Sequence, residues 1–378
     1  MTPQQLRDCF PYLKTGLVYL NHAATSPWST YVEKGILDFQ REWTHGEIEV
    51  FERAMGTIQE TRDMAAEMIG CHASRLAFVQ NTSDGLNVLA SGLDWKSGDR
   101  IILAEMEFPS NVYPFLNLTR LGVEIDFAPQ RNGVILLDDI EQLITPRTRL
   151  VAVSWVQFLS GFTIDLAALG ALCRSKGVLL SVDAIQGIGA RRLNLAETPV
   201  DFLSAGAQKW QMAPQGTGII YVSEDMQERI AQASLGWLSV RNAWDFFTYE
   251  LDLRDDARRY ENGTWNTLGL HGYHGALSLF KEVGFDDVAR MVRANAEYAY
   301  ERVAEGGFDL RTPRDAAQRA GIVTFRHERS EGIVKELQKR RITVSARSGC
   351  IRLSPHFYNV REEIDAAMEA IVEAERAA

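Results

Sequence analysis

Asp183 and Lys209 stand 26 residues apart, each just after a short, largely apolar run, VLLSV and DFLSAGAQ. In open α/β sheets, ligands collect beyond the carboxyl ends of the strands. A carboxylate there can pair with a pyridinium nitrogen and keep it protonated, which turns the ring into an electron sink. The same carboxylate would also suit a turn or a helix cap. A lysine at the rim of a buried pocket has a depressed pKa, and its neutral amine forms imines. A lone lysine is more often a solvated surface charge. The Asp–Lys pair in this order, followed by the glycine-rich GTGIIYV, is the more specific signal. Gln186, three residues beyond Asp183, is within reach of the same ligand.

A third element lies upstream. In LAFVQNTSDGLNVLA a strand runs into a helix at Asn81–Asp84. Thr82 and Ser83 supply hydroxyls and backbone N–H groups at that helix N-terminus, which favours an anion. An ordinary N-cap would use the same residues, and the two readings are compatible. Other phosphate and nucleophile signatures are missing: no G-x-x-x-x-G-K-[ST], no G-x-G-x-x-G after a strand, no G-x-S-x-G. No H-E-x-x-H or Cys/His cluster points to a metal.

The elements that must carry these residues follow from the apolar pattern. Between about Leu76 and Val222, short apolar runs alternate with helical stretches. Strands are expected at RLAFVQ, DRIILAEM, VEIDFAP, RLVAVSWVQF, VLLSVDAIQ, DFLSAGAQ and GTGIIYVS. Helices are expected at DGLNVLASGL, SNVYPFLNLTRLG and LAALGALCRSKG. Strands of continuous apolar character separated by helices predict an α/β fold, with a largely parallel sheet covered on both faces. After about Tyr260 two long helices precede the strands GIVTFRH, RITVSARSG and CIRLSPH and a closing helix, EEIDAAMEAIVEAERAA. This predicts a smaller α+β domain. The expected division is a large domain over residues 16–260 and a small one over 261–378, with residues 1–15 packing on the latter.

The 378 residues suit two domains. A net charge of −10 argues against nucleic-acid binding, which needs a basic face. Cys9, Cys71, Cys173 and Cys350 form no C-x-x-C pair, and free thiols fit a reducing compartment. The N-terminal residues lack a basic start followed by an apolar core, and no apolar run is long enough to span a bilayer. The expectation is a cytoplasmic protein without membrane contact.

Taken together, the three segments resemble the class V family of aminotransferases that depend on pyridoxal 5′-phosphate (PLP), within fold type I. That family includes cysteine desulfurases, selenocysteine lyases and isopenicillin-N-epimerase-like enzymes. The likeness runs from YLNHAATSP (Tyr19–Pro27) to IRLSPHFYNVREEID (Ile351–Asp365). The resemblance implies that Lys209 is the Schiff-base lysine and Asp183 the pyridinium partner. Gln186 would contact the ring hydroxyl oxygen, and Thr82 and Ser83 the phosphate. ENGTWNTLG resembles the segment that brings a Gly-Thr pair, here Gly263 and Thr264, to the phosphate of a neighbouring subunit, which implies a homodimer with shared active sites. Arg352 takes the place of the arginine that clamps the substrate carboxylate, and Asn21 and His22 in the YLNHAA loop would border the substrate.

Several positions depart from the desulfurase pattern. Gln208 precedes the lysine where His is frequent, and Gly206 replaces a phosphate-binding serine. Phe108 stands where desulfurases stack a histidine on the ring; it covers but moves no proton. Gln157 or Phe158 replaces a ring-contacting asparagine. Cys350 sits two residues before Arg352, with no room for the mobile loop that carries a desulfurase's nucleophilic cysteine. The expected function is therefore aminotransferase- or epimerase-type chemistry on an amino acid. The alternative is a C–S or C–Se β-lyase that works without a cysteine persulfide.

Overall fold

In the computed structural model, residues 1–46 and 51–376 are described. Seven strands form the central sheet: β1 (Leu76–Val79), β2 (Arg100–Ala104), β3 (Glu124–Ala128), β4 (Thr148–Ser154), β5 (Leu179–Asp183), β6 (Phe202–Gly206) and β7 (Gly218–Val222). Their spatial order is β1-β7-β6-β5-β4-β2-β3. Neighbours are parallel except around β7, which runs antiparallel to both β1 and β6. Two reversals restore direction, so the carboxyl ends of β1, β5 and β6 share one edge. Every residue of β5, β6 and β7 is buried, as a sheet covered on both faces requires.

Helix α1 (Thr82–Gly92) follows β1 and packs close on the sheet. A side chain on Gly85 would come within 2.3 Å of Ser204 Oγ and 2.4 Å of Ile220, so this turn of the helix needs glycine. Helix α2 (Leu166–Lys176) is capped by Asp165 and ends at Gly177 with φ 69°, as its sequence predicts. The stretch 110–121 differs from the expected helix. It is one α-turn, Tyr113–Leu116, between two 3₁₀ segments, because Pro114 lacks the N–H that a continuous helix would bond to the carbonyl of Ser110.

The second sheet comprises β8 (Asp309–Leu310), β9 (Val323–Arg326), β10 (Ser345–Arg347) and β11 (Cys350–Leu353), in the antiparallel order β8-β9-β11-β10. RITVSARSG, expected as one strand, divides: Ile342–Thr343 pairs with Val18–Tyr19, and only Ser345–Arg347 joins the sheet. Val344 between them is buried. Leu20 packs in the core beneath the second sheet, while the helix Thr267–Val283 packs against the helices Thr30–His45 and Phe51–Ile69 and joins the core of the large sheet. An N-terminal segment around Leu20 thus packs with the second sheet, and the helix Thr267–Val283 packs with the first. At the N-terminus, Phe10 stacks on Tyr358 at 3.7 Å and Arg7 pairs with Glu363 at 2.9 Å. No helix among the described residues is long and apolar enough to cross a membrane.

Candidate active site

A cavity of about 390 Å³ opens where the carboxyl ends of β1, β5 and β6 meet the second sheet. Lys209, Gln208, Gln186, Thr82, Ser83, Phe108, Phe158 and Arg352 all line it. Thr82, Gln186 and Lys209 are thus gathered at one sheet edge, as the open α/β rule predicts, and Arg352 reaches them from the second sheet.

Lys209 sits in the turn after β6, and its main chain is held from two sides. Its carbonyl accepts from Ser26 Oγ at 2.6 Å and from Met212 N at 3.0 Å, and Ser26 N donates to Gln208 O at 3.0 Å. Burial lowers the pKa of its amine to about 8; the charge of Asp183 opposes that fall, and Arg352 and Arg347 add to it. The amine is therefore neutral in about a tenth of molecules at pH 7 and in most above pH 8, far more than an ordinary lysine, and the neutral form is what imine formation and proton abstraction need. The Nζ lies 5.4 Å from the centre of the Phe108 ring. Phe158 meets Phe108 edge-on at 5.4 Å, so two aromatic rings wall one side.

Asp183 closes β5 and is 2 % exposed. Its Oδ1 accepts from Ile185 N at 3.0 Å, while Oδ2 takes no hydrogen bond among the described residues. Burial pushes this carboxyl up to about 6, against the pull of that hydrogen bond and of Lys209. A buried carboxylate with an open oxygen suits a cationic N–H donor. Gln186 is also buried; its Nε2 donates to Ala23 O at 3.0 Å and its Oε1 accepts from Trp210 Nε1 at 2.7 Å.

The N-terminus of α1 forms the opposite end. Asn81 caps it by accepting from Asp84 N at 2.9 Å, so the N–H groups of Thr82 and Ser83 take no protein acceptor among the described residues. Thr82 Oγ1 accepts from Gly206 N at 2.9 Å, which ties the helix to β6, and Ser83 Oγ bonds Ser110 Oγ at 2.9 Å. This is a ready anion cup.

Arg352, on β11, is 1 % exposed. Its Nη1 donates to Phe158 O at 2.6 Å and its Nε to Ser345 Oγ at 3.3 Å, while Nη2 is buried without a partner among the described residues. Burial and the nearby Arg347 lower its pKa to about 9. A guanidinium held with one donor open calls for an anion such as a carboxylate.

Other expected residues lie elsewhere. His22 is fully buried and faces away from the cavity: its Nδ1 bonds Ser354 O at 2.8 Å and its Nε2 the Tyr358 hydroxyl at 2.6 Å. Asn21 makes a backbone bridge to Ser354 and does not line the cavity. The YLNHAA segment reaches the cavity through Ala23 and Ala24. Gln157 also turns away, donating to Glu107 Oε1 at 2.9 Å, and Phe158 takes the place at the wall. Gly263 and Thr264 line a separate cleft, beside Glu261, whose carboxylate is locked on Arg62 at 2.6 Å.

Two residues went unforeseen. Arg347 lines the cavity, and its only sequence signal was the RSGC turn that it begins. Glu107 is buried beside Asp183 at the ends of β4 and β5. It accepts from Ser154 N at 2.7 Å, from the Ser154 hydroxyl and from Gln157, and burial pushes it up to about 7.

The sequence from residue 18 to 371 matches the profile of the family described as aminotransferase class V. The chain belongs to that family. It is a fold-type I, PLP-dependent enzyme, and the open Asp183 oxygen, the free N–H groups at Thr82 and Ser83 and the buried Lys209 amine fit that cofactor. Among relatives, it is 27% identical to an uncharacterized aminotransferase, YcbU, of Bacillus subtilis, over 98% of this chain and 97% of the relative. It is also 27% identical to a probable cysteine desulfurase of Methanothermobacter thermautotrophicus, over 99% of this chain and 98% of the relative. The fold is similar to that of the apo cysteine desulfurase from Thermococcus onnurineus, with a TM-score of 0.90 and 24% identity over 100% of this chain and 99% of the other.

Proposed function

We propose that this class V enzyme breaks the Cα–H bond of an amino acid with Lys209 as the proton carrier, in transamination or epimerisation. The observation that carries this reading is the composition of the cavity wall. Among the described residues that line it, Lys209 is the one titratable group besides two arginines. When bound, PLP supplies an electron sink for the carbanion equivalent formed at Cα. Asp183 would hold the proton on the ring nitrogen. Thr82 and Ser83 would bind the phosphate, Gln186 would face the ring oxygen, and Phe108 would cover the ring. Arg352 would take the substrate carboxylate on Nη2 and orient Cα toward Lys209. Gly263 and Thr264, remote from Lys209 in their own chain, would serve the second subunit of a homodimer.

A second reading is β-elimination from a cysteine-like substrate, supported by the 27% identity to a probable cysteine desulfurase. In that case sulfur would leave without a protein thiol. Among the described residues no cysteine lines the cavity, and burial raises the pKa of Cys350, 6 % exposed on β11. The hairpin from β10 to β11 leaves it no mobile loop.

The test is a panel of L- and D-amino acids, cysteine and cysteine conjugates with the purified holoenzyme. Keto acid or inverted amino acid is the expected product. Pyruvate with sulfide from wild type and from Cys350→Ala alike would establish the second reading in its place. Sulfide release lost in Cys350→Ala, with a persulfide on Cys350, would defeat both.

A further inference from the structure

A second cavity, of about 540 Å³, lies between the loop after β5 and the helix Phe285–Glu305 and continues to residues 316–323. It shares no lining residue with the Lys209 cavity. Five arginines line it, Arg191, Arg192, Arg290, Arg293 and Arg319, against two carboxylates, Asp286 and Glu297. In a chain of net charge −10 this is a marked local reversal.

The charges are only partly compensated. Arg192 pairs with Asp286 at 2.7 Å, Arg319 with Glu297 at 3.2 Å, and Arg290 with Asp287 at 2.8 Å. Arg191 and Arg293 contact no carboxylate among the described residues. Arg191 spends its Nη1 on the carbonyls of Ala317 at 3.1 Å and Arg319 at 2.5 Å, and burial and the charge of Arg293 lower its pKa. Arg319 is 8 % exposed and lies flat over Tyr300 at 3.8 Å, yet its Nε and Nη1 are buried with no partner among the described residues. Guanidiniums crowded with open donors are unfavourable by themselves and complementary to a compact multivalent anion.

We infer that this cavity is a second ligand site, for a phosphate group, either free phosphate or the phosphomonoester of a small metabolite. Phosphate matches the observed donors because its oxygens accept from several guanidinium forks at once, whereas a monocarboxylate neutralises only one. The ligand would join Arg191 of the large-sheet layer to Arg293 and Arg319 of the helix and segment that lead into the second sheet.

The experiment is calorimetric titration of the PLP-loaded enzyme at constant ionic strength with inorganic phosphate and, separately, glycerol 3-phosphate. On the proposed assignment, bound PLP takes up the cup at Thr82 and Ser83, so the titrated phosphate reports on the second cavity. Saturable binding by the wild type is expected, weakened at least tenfold by Arg293→Glu and by the milder Arg293→Gln, and retained in Arg352→Ala. Tighter binding of glycerol 3-phosphate identifies an organic phosphate as the ligand; tighter binding of inorganic phosphate identifies the free ion. Absence of saturable binding, wild-type affinity in both Arg293 variants, or loss in Arg352→Ala alone would overturn the site. The visible band of bound PLP, recorded on each sample, reports separately on the Lys209 assignment.

Discussion

Two buried polar clusters flank the Lys209–Trp210 step, and they differ in how they are closed. In one, His22 bonds Ser354 O and the Tyr358 hydroxyl, and Tyr358 in turn bonds Tyr12 OH at 3.0 Å. Every ring nitrogen of His22 has its partner, and burial drops its pKa to about 3, so it stays neutral. In the other, Arg352 Nη2, Asp183 Oδ2 and the N–H groups of Thr82 and Ser83 are left open among the described residues. Buried polar groups are normally satisfied, so a closed network reads as architecture and a convergent open one as a place for a ligand. Residue type alone would rank His22 above Thr82 as a functional residue; the hydrogen-bond accounting reverses that order.

Breaking the open cluster should have the largest effect. Lys209→Ala is expected to abolish the borohydride-sensitive visible band and lower turnover by about 10³-fold or more, the scale of a lost proton carrier, with circular dichroism unchanged. In apo-protein, PLP capture by wild type should speed up as pH rises and level off above about 8, where the Lys209 amine is neutral. A flat profile would mean that the amine is not limiting.

Arg352→Ala should lower kcat/KM for amino-acid substrates by about 10²–10³-fold, the scale of a lost charged hydrogen-bond partner, while the visible band persists. If kcat/KM holds, the open Nη2 serves something other than the substrate.

Asp183→Asn should act in opposite directions on stability and function. The folded carboxyl titrates at about 6, above its ordinary value of 3.8, so apo-protein stability falls as pH rises through that window and stays reduced above it. Removing the charge is expected to stabilise apo-protein at pH 8 by roughly 1–3 kcal/mol, and to do nothing near pH 4. PLP affinity should weaken at the same time. Denaturant titrations at the two pH values, paired with PLP titration, check both signs.

The smallest effect on catalysis belongs to the closed cluster. Tyr358→Phe leaves His22 Nε2 without its donor and should cost about 1–3 kcal/mol of stability, with kcat/KM within about twofold of wild type. A hundredfold loss of kcat/KM would return His22 to the active site.

Much of the site was legible along the chain because its carriers are local. A continuous apolar strand ending in Asp183, another ending before Lys209, and a strand breaking into the Asn81 cap are written in consecutive residues, and the topology of such sheets brings their ends to one edge. Arg352 was legible through the family likeness around it. The interruption of the 110–121 helix was also readable in Pro114, and the helical pattern alone concealed it.

What the sequence by itself determined, then, is the family, the α/β layering and the residues at strand ends and helix starts. The tertiary structure alone decided where side chains in irregular segments point. His22 turns to Tyr358, 336 positions away, and Gln157 turns to Glu107. Arg347 reaches the cavity because β10 pairs with β11. Thr264 faces a cleft beside the Arg62–Glu261 pair and away from its own chain's lysine. A strand or a capped helix sets its side-chain directions by backbone periodicity. A loop has no such period, and its side chains take the directions that distant hydrogen-bond partners and packing impose.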